Sequence, residues 1–418
     1  MGEQDGERER RVEALLREAA PQVVAKLTRR YGQFEACEDA TQEALIAALE
    51  QWPADGVPRH PGAWLLTAAR RALIDAWRNE AARRDRERRL AEAPASWAGQ
   101  VAAPGPDEVP GDDETLILIF LCCHPTLAPE AQIALTLRAV GGLTTAEIAG
   151  AFLVPEATMA KRITRAKRTI ARSGQRFEPP PAAELPVRLQ AVLAVLYLVF
   201  NEGYTATSGS ALHRVDLSDE AIRLTRLLHR LVPGDGEVAG LLALMLLTDA
   251  RRPARTRPDG SLVVLEDQDR SHWDTTLIGE GLEVIARTLG RYPVGPYQLQ
   301  AAIAAVHDEA PTADATDWPQ ILALYDVLER IAPGPVITMS RAVALARVHG
   351  PRAGLAVLGT LDDNAAAVRS HRLYAVRAHL LELAGDHAQA RNAYLQAARL
   401  TASLPEKHYL ELRYAHLA

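Results

Sequence analysis

Four short stretches gather the residue types that carry chemistry. Cys122-Cys123-His124 offers thiol and imidazole ligands, and EDQDRSHWD (Glu266–Asp274) gathers Glu266, Asp267, Asp269, His272 and Asp274. YLVFNEGYTATSG (Tyr197–Gly209) breaks from an apolar run into polar residues, as a loop at the mouth of a site would. The fourth stretch is cationic: Lys161, Arg162, Arg165, Lys167, Arg168 and Arg172 follow Glu156 closely. Adjacent cysteines lack the CxxC spacing of a zinc site. They follow the apolar run Leu116–Leu121, where free cysteine is normally buried. The acidic stretch reads as a solvated turn and helix start, where the dipole favours carboxylates. In the third, Leu189–Phe200 reads as a buried helix ended by Asn201 and Gly203, the glycine accepting φ > 0. Asn201, Glu202 and Tyr204 are then a candidate domain interface. No catalytic residue, metal site or cofactor is expected, and an enzyme is not.

The elements that would position these residues are helical. The chain of 418 residues is 48% hydrophobic but only 5% aromatic, and Ala, Leu and Arg dominate it. Helix formers thus outweigh the β-branched and aromatic residues that favour strands, so the expected fold is all-α, in several domains. Net charge is −6, so any affinity for nucleic acid must come from local clustering of cations. Three cysteines cannot build a disulfide framework, and MGEQDGERERR is no signal peptide. Leu189–Phe200 is too short to cross a bilayer, and a cytoplasmic protein without a membrane partner is expected.

The cationic stretch belongs to a helix-turn-helix, Leu143–Ala171. Thr144 or Thr145 can cap the first helix with Glu147 as capping-box partner, and Ile148, Ala149 and Phe152 give it an apolar side. Leu153-Val154-Pro155 breaks the chain and puts proline where a second helix starts. In that helix Met159, Ile163, Ala166 and Ile170 form one buried stripe. Ala157, Thr158, Lys161, Thr164 and Arg165 lie on another face, and Lys167, Arg168 and Arg172 extend the charge. Small residues at the N-terminus of such a helix permit close approach to the major groove, where side chains read bases and phosphates.

The stretch LRAVGGLTTAEIAGAFLVPEATMAKRITRAKRTI resembles region 4 of extracytoplasmic-function (ECF) sigma factors of the sigma-70 family. CEDATQEALIAALEQW (Cys37–Trp52) resembles region 2.2, and PGAWLLTAARRALIDAWRNEAARR (Pro61–Arg84) resembles regions 2.3 and 2.4. The resemblance covers about residues 8–175. It implies a factor that binds core RNA polymerase and directs promoter-specific initiation. Asp39, Gln42 and Glu43 match positions that dock on the β′ clamp helices; Glu50 is expected exposed beside them, with Ala44, Leu45, Ala48, Leu49 and Trp52 buried. Region 4 of such factors also meets the β flap. Trp64, Arg70, Arg71 and Arg78 match the surface that melts and reads the −10 element. Leu65, Ala68, Ala69, Ala72, Leu73 and Ala76 are expected to pack inward, while Trp64 and Trp77 suit either base stacking or the core. Thr158, Lys161, Arg162, Thr164, Arg165 and Arg168 match the −35-reading helix. The alternative is a helix-turn-helix regulator that binds DNA without joining core polymerase.

The implied organisation is region 2 over 8–82, a flexible linker over 83–112 with Asp107, Glu108, Asp112 and Asp113 at its acidic end, and region 4 over 113–175. A Pro-rich linker follows over 176–186, then a helical extension over 187–418. That extension resembles the TPR-related C-terminal domain of one ECF group. GDHAQARNAYLQAARL, from Gly385, carries the small-large-small pattern Ala390, Tyr394, Ala397, and an echo starts at Gly350, close to the TPR period of ~34 residues. A turn is expected at Asp259-Gly260, flanked by short strands around SLVVL. Stacked helical pairs leave an extended surface, so a regulatory protein or ligand is an expected partner of this domain.

Overall fold

The computed structural model describes residues 2–91, 112–152, 154–174, 176–206, 208–209 and 212–417. Most of the linker expected over 83–112, with Asp107 and Glu108, lies outside them. The fold is all-α: eighteen α-helices among the described residues, with two strands of two residues each. The chain divides into two compact units, Met1–Val195 and Leu196–Ala418.

In the first unit α1 (Gly2–Tyr31), α2 (Phe34–Asp55) and α3 (Pro61–Ala91) enclose one core. Leu16, Val23 and Leu27 of α1 meet Cys37, Ala44, Leu45, Ala48 and Trp52 of α2 and Leu65, Ala69 and Leu73 of α3, all buried. The basic start of the linker stretch, a sequence able to extend a helix, continues α3 to Ala91. Two expectations for the stripes fail. Leu49 of α2 is 42% exposed, beside Ile46 at 54%, because the stripe runs through Glu38, Thr41, Leu45, Ala48 and Trp52. Ala76, midway along α3, is exposed.

A second set of helices follows: α4 (Asp112–Cys122), α5 (Pro129–Ala139), α6 (Thr145–Ala151) and α7 (Glu156–Arg172). Asp112 and Asp113, expected in the linker's acidic end, open α4. Cys122 and Cys123 are buried, and Gln132 donates from its amide to the carbonyls of Cys123 and His124. The helix α8 (Leu185–Tyr204) has 20 residues, longer than the expected Leu189–Phe200. It alone among the described residues is long and apolar enough to cross a membrane. Its stripe of Leu189, Val192, Leu193, Leu196, Val199 and Phe200 is buried, as in a core helix. Near its start, Arg188 donates to the Phe120 carbonyl at 2.6 Å.

The second unit continues with α9 (Val215–Leu231), α10 (Gly236–Asp249), α11 (Thr275–Thr288), α12 (Pro296–Glu309) and α13 (Trp318–Ile331). It closes with α14 (Pro335–His349), α15 (Pro351–Gly359), α16 (His371–Leu383), α17 (His387–Leu400) and α18 (Leu404–His416). Two hairpins carry the repeat. Gly350 turns α14 into α15 at φ 91°, and Gly385 precedes α17 at φ 78°, a left-handed backbone that glycine adopts without strain. In α17 the Ala390, Tyr394 and Ala397 side chains are buried, and the Tyr394 hydroxyl donates to Glu382 at 2.7 Å. A parallel pair, β1 (Ser208–Gly209) with β2 (Ala402–Ser403), ties the start of the unit to its end. Around Asp259-Gly260 the turn forms, but the expected strands reduce to one antiparallel bridge, Thr256 with Leu262.

The stretch Asn201–Tyr204 does not end its helix where expected. The helix runs on to Tyr204, and Gly203 is not left-handed. Its role is close approach: a Cβ there would collide with the Ser218 backbone nitrogen of α9. The Tyr204 ring stacks on Phe200 at 5.7 Å, with the Arg255 guanidinium 3.7 Å from its centroid. Glu202 pairs with Arg214 at 3.8 Å. In EDQDRSHWD, Asp274 caps α11 through the Thr276 and Leu277 amides, and Asp269 accepts from the Ser271 amide.

Two outcomes follow. Gly203→Ala should destabilise the protein by ~1–3 kcal/mol or more through overpacking. Gly279→Ala, in the interior of α11 with open space around it, should stabilise by ~0.5–1 kcal/mol; an unchanged or raised denaturation midpoint for Gly203→Ala would contradict the packing argument. Burial pushes the Cys37 and Cys123 thiols up to about 12, and Cys122 well above the ordinary thiol range. Since the thiolate is the reactive form, a thiol reagent at pH 8 should modify none of the three until the chain is denatured.

Candidate nucleic-acid interface

Local chemistry builds the helix-turn-helix. Thr144 caps α6: its hydroxyl accepts from the Glu147 amide at 3.1 Å, while Glu147 accepts from the Thr144 amide at 2.6 Å. Pro155 stands at the N-cap of α7. Met159, Ile163, Ala166 and Ile170 are buried along one side of α7. On the other side Ala157, Thr158, Lys161, Arg165 and Arg168 are exposed, and Arg162 and Thr164 are half-buried. Lys161, Arg162 and Arg165 border a groove of about 360 Å³ that reaches Thr126 and Ala128, at the N-terminal end of α5. Three cations beside a helix N-terminus suit an anionic backbone.

Lys167 departs from the expected cationic face. It is 5% exposed and turns towards α2, pairing with Glu38 and, at 2.5 Å, with the Asp39 carboxylate. Glu38 is fully buried and also pairs with Arg138 of α5 at 3.0 Å. Burial is the largest influence on Lys167 and favours the neutral amine, but the two carboxylates outweigh it and raise its pKa. Gln42, expected exposed, is 6% exposed and donates to the Arg138 carbonyl at 3.4 Å. Two further ion pairs reach from α1, Arg17 to Glu147 of α6 at 3.4 Å and Arg29 to Glu114 of α4 at 3.3 Å.

Beyond this cluster, α2 presents Glu43, Ile46, Leu49 and Glu50 to solvent, and Asp39 keeps an exposed edge beside Lys167. On α3, Arg71 and Arg78 are exposed and Arg70 is half-buried. Trp64 packs edge-on against Trp52 at 5.5 Å, and Trp77 against Tyr31 at 5.3 Å, so both rings flank the core. Glu38 and Arg138 were missed as site residues. The signal was present: Glu38 lies seven residues before Leu45 and Lys167 four after Ile163, which sets both on buried faces.

Comparison with known proteins agrees with this arrangement. Sigma-70 region 2 matches residues 15–83, and Sigma-70 region 4 matches residues 117–170. The chain belongs to the sigma-70 family. It is an ECF-like sigma factor with a C-terminal extension. Residues 188–289 match a family of unknown function, DUF6596. An uncharacterized protein from Rhizobium meliloti (strain 1021) is 42% identical over 411 residues, covering 97% of this chain and 96% of the relative. No solved structure matches significantly. Sigma factors of this family are non-enzymatic DNA-binding regulators, and regions 2 and 4 imply interaction with core RNA polymerase and promoter DNA.

The capping box of this sigma factor gives a direct test of how its helix-turn-helix is held. Thr144→Ala should cost ~1 kcal/mol, the usual worth of an N-cap. Glu147→Ala should be less than additive with it, because one reciprocal pair is removed; full additivity in a denaturant double-mutant cycle would show that the box does not act as a unit.

Proposed function

We propose that this sigma factor binds core RNA polymerase through α2, reads the −10 element with α3 and the −35 element with α7, and is modulated by its C-terminal domain. The single observation that carries the reading is the division of α7. Its apolar stripe is spent on the fold, leaving Thr158, Lys161, Arg165 and Arg168 exposed, the first three lining the groove at α5. Thr158 and Lys161 lie towards the N-terminal end of α7, which is the end a recognition helix presents to base edges, with Arg162, Thr164, Arg165 and Arg168 following along the helix.

For core binding, α2 offers Asp39, Glu43 and Glu50 interleaved with exposed Ile46 and Leu49. An acidic face with apolar residues at helical spacing suits helices with basic flanks, and the β′ clamp helices are the proposed partner, with the β flap as partner of region 4. On α3, Arg70, Arg71 and Arg78 would hold the strand backbone. Trp64, anchored on Trp52, would offer its free edge to an unstacked base. The protein acts in the cytoplasm, where polymerase and promoter are.

Modulation has a physical seat in the second unit. A cavity of about 700 Å³ is lined by Trp318, Tyr325, His379, Tyr394 and Tyr409, with Arg270 and Arg347 at its wall. Both guanidiniums are already partnered: Arg347 pairs with Glu266, and Arg270 donates to the His307 carbonyl and the Thr316 hydroxyl. A regulatory protein or ligand would bind here. Asn201, Glu202 and Tyr204 are proposed to anchor the start of that unit, so that Tyr204→Ala changes transcriptional output.

The test is core binding combined with start-site mapping. The full chain should co-purify with core polymerase and initiate at specific promoters. Lys161→Ala and Arg165→Ala should each weaken −35 binding by ~1–3 kcal/mol while leaving core binding intact. Ile46→Glu should do the reverse. Tight duplex binding by the chain alone, with no affinity for core, would establish the regulator reading instead.

A further inference from the structure

The α2 face that the proposed function assigns to polymerase is half covered by the chain itself. Lys167 of α7 and Arg138 of α5 hold Glu38 between them, and Lys167 reaches on to Asp39. Gln42 is committed to the Arg138 carbonyl. The cluster is neutral in sum, with two carboxylates against an ammonium and a guanidinium. Glu38 and Lys167 are sealed from water, and screening by salt therefore reaches them weakly.

The two halves of the face differ. Asp39 and Gln42 are engaged by the helix-turn-helix, while Glu43, Ile46, Leu49 and Glu50, further along the same helix, stay exposed. A partner docking along the whole of α2 meets free surface at one end and α7 at the other.

We propose that the Glu38–Asp39–Lys167–Arg138 cluster is a clasp, and that core polymerase and the chain's own helix-turn-helix compete for one surface of α2. The inference rests on the reading of α2 as the polymerase-docking helix. The exposed residues Glu43 to Glu50 give core a first foothold, and full docking on Asp39 and Gln42 requires Lys167 to leave Glu38. Free protein is held closed, with its −35-reading domain folded back on region 2. Core binding releases that domain to reach along the promoter.

The buried state of all three native cysteines allows the full chain to be labelled at chosen sites. Spin labels at Thr67→Cys on α3 and Ala171→Cys on α7, both exposed, report the distance between the two sigma domains by double electron–electron resonance. The free chain should give one narrow distance, and addition of bacterial core polymerase should move and broaden it. This needs no change at the cluster. The double variant Glu38→Gln with Lys167→Met removes the two most deeply buried charges at nearly constant volume, and Arg138 keeps its bond to the Leu143 carbonyl. It should show a broadened distance without core. It should also bind core about tenfold more tightly, the factor expected if the closed state holds about 90% of the free protein. Core binding by the wild-type chain with an unchanged distance would overturn the clasp. So would a double variant that keeps both the narrow distance and the wild-type affinity. If labels separate in the double variant but no form of the chain binds core, the docking reading falls, and the competition with it.

Discussion

A fully buried glutamate is the constraint on which the first unit depends. Glu38 sits on the core-facing side of α2, where a lone carboxylate would be prohibitively expensive to desolvate. Its position is tolerable only because α5 brings Arg138 to one oxygen and α7 brings Lys167 to the other. Removing one partner of such a pair typically costs ~3–5 kcal/mol, because the survivor stays buried and uncompensated. Replacing the whole set with apolar residues is often neutral or better. The cluster therefore contributes to specificity of arrangement more than to stability. It fixes which faces of α2, α5 and α7 meet.

The consequence runs outward to the cationic face of α7. Because Lys167 faces inward, the α7 stripe is wider than its four apolar residues, and the remaining cations are confined to a narrower exposed sector. Thr158, Lys161, Arg165 and Arg168 are left on that sector, with the groove at α5 beside them. The same helix thus meets region 2 on one side and offers cations on the other.

Much of this was legible in the sequence, for identifiable reasons. Periodicity found α7, since four apolar residues at spacings of 4, 3 and 4 admit one face, and the capping box at Thr144 and Glu147 is a local motif needing no tertiary help. The cysteines behind an apolar run were read as buried. Periodicity failed where polar residues occupied buried positions. Lys167 is charged, so the pattern took it for solvent-facing, Gln42 was misplaced with it, and Glu38 drew no reading at all. Leu49 erred the other way, an apolar residue left exposed on the face proposed for docking. Gly203 was read by its backbone freedom, when its missing side chain was the point. No local pattern distinguishes these uses of glycine, since the neighbour it admits, Ser218, belongs to the next helix. The candidate site residues on α7 were legible as a face; the turn of Lys167 away from it, towards α2, was not.

The paired turns at Gly350 and Gly385 carry a consequence for how the extension can vary in length. Each opens the second helix of a hairpin, 35 residues apart. A hairpin buries one side against the preceding pair and the other against the following one. Insertion of a whole repeat preserves every register, whereas insertion of a few residues within a helix rotates its apolar side away from both neighbours. Growth and loss in this half of the chain are in effect quantised, and the left-handed glycines mark where one quantum is counted from the next.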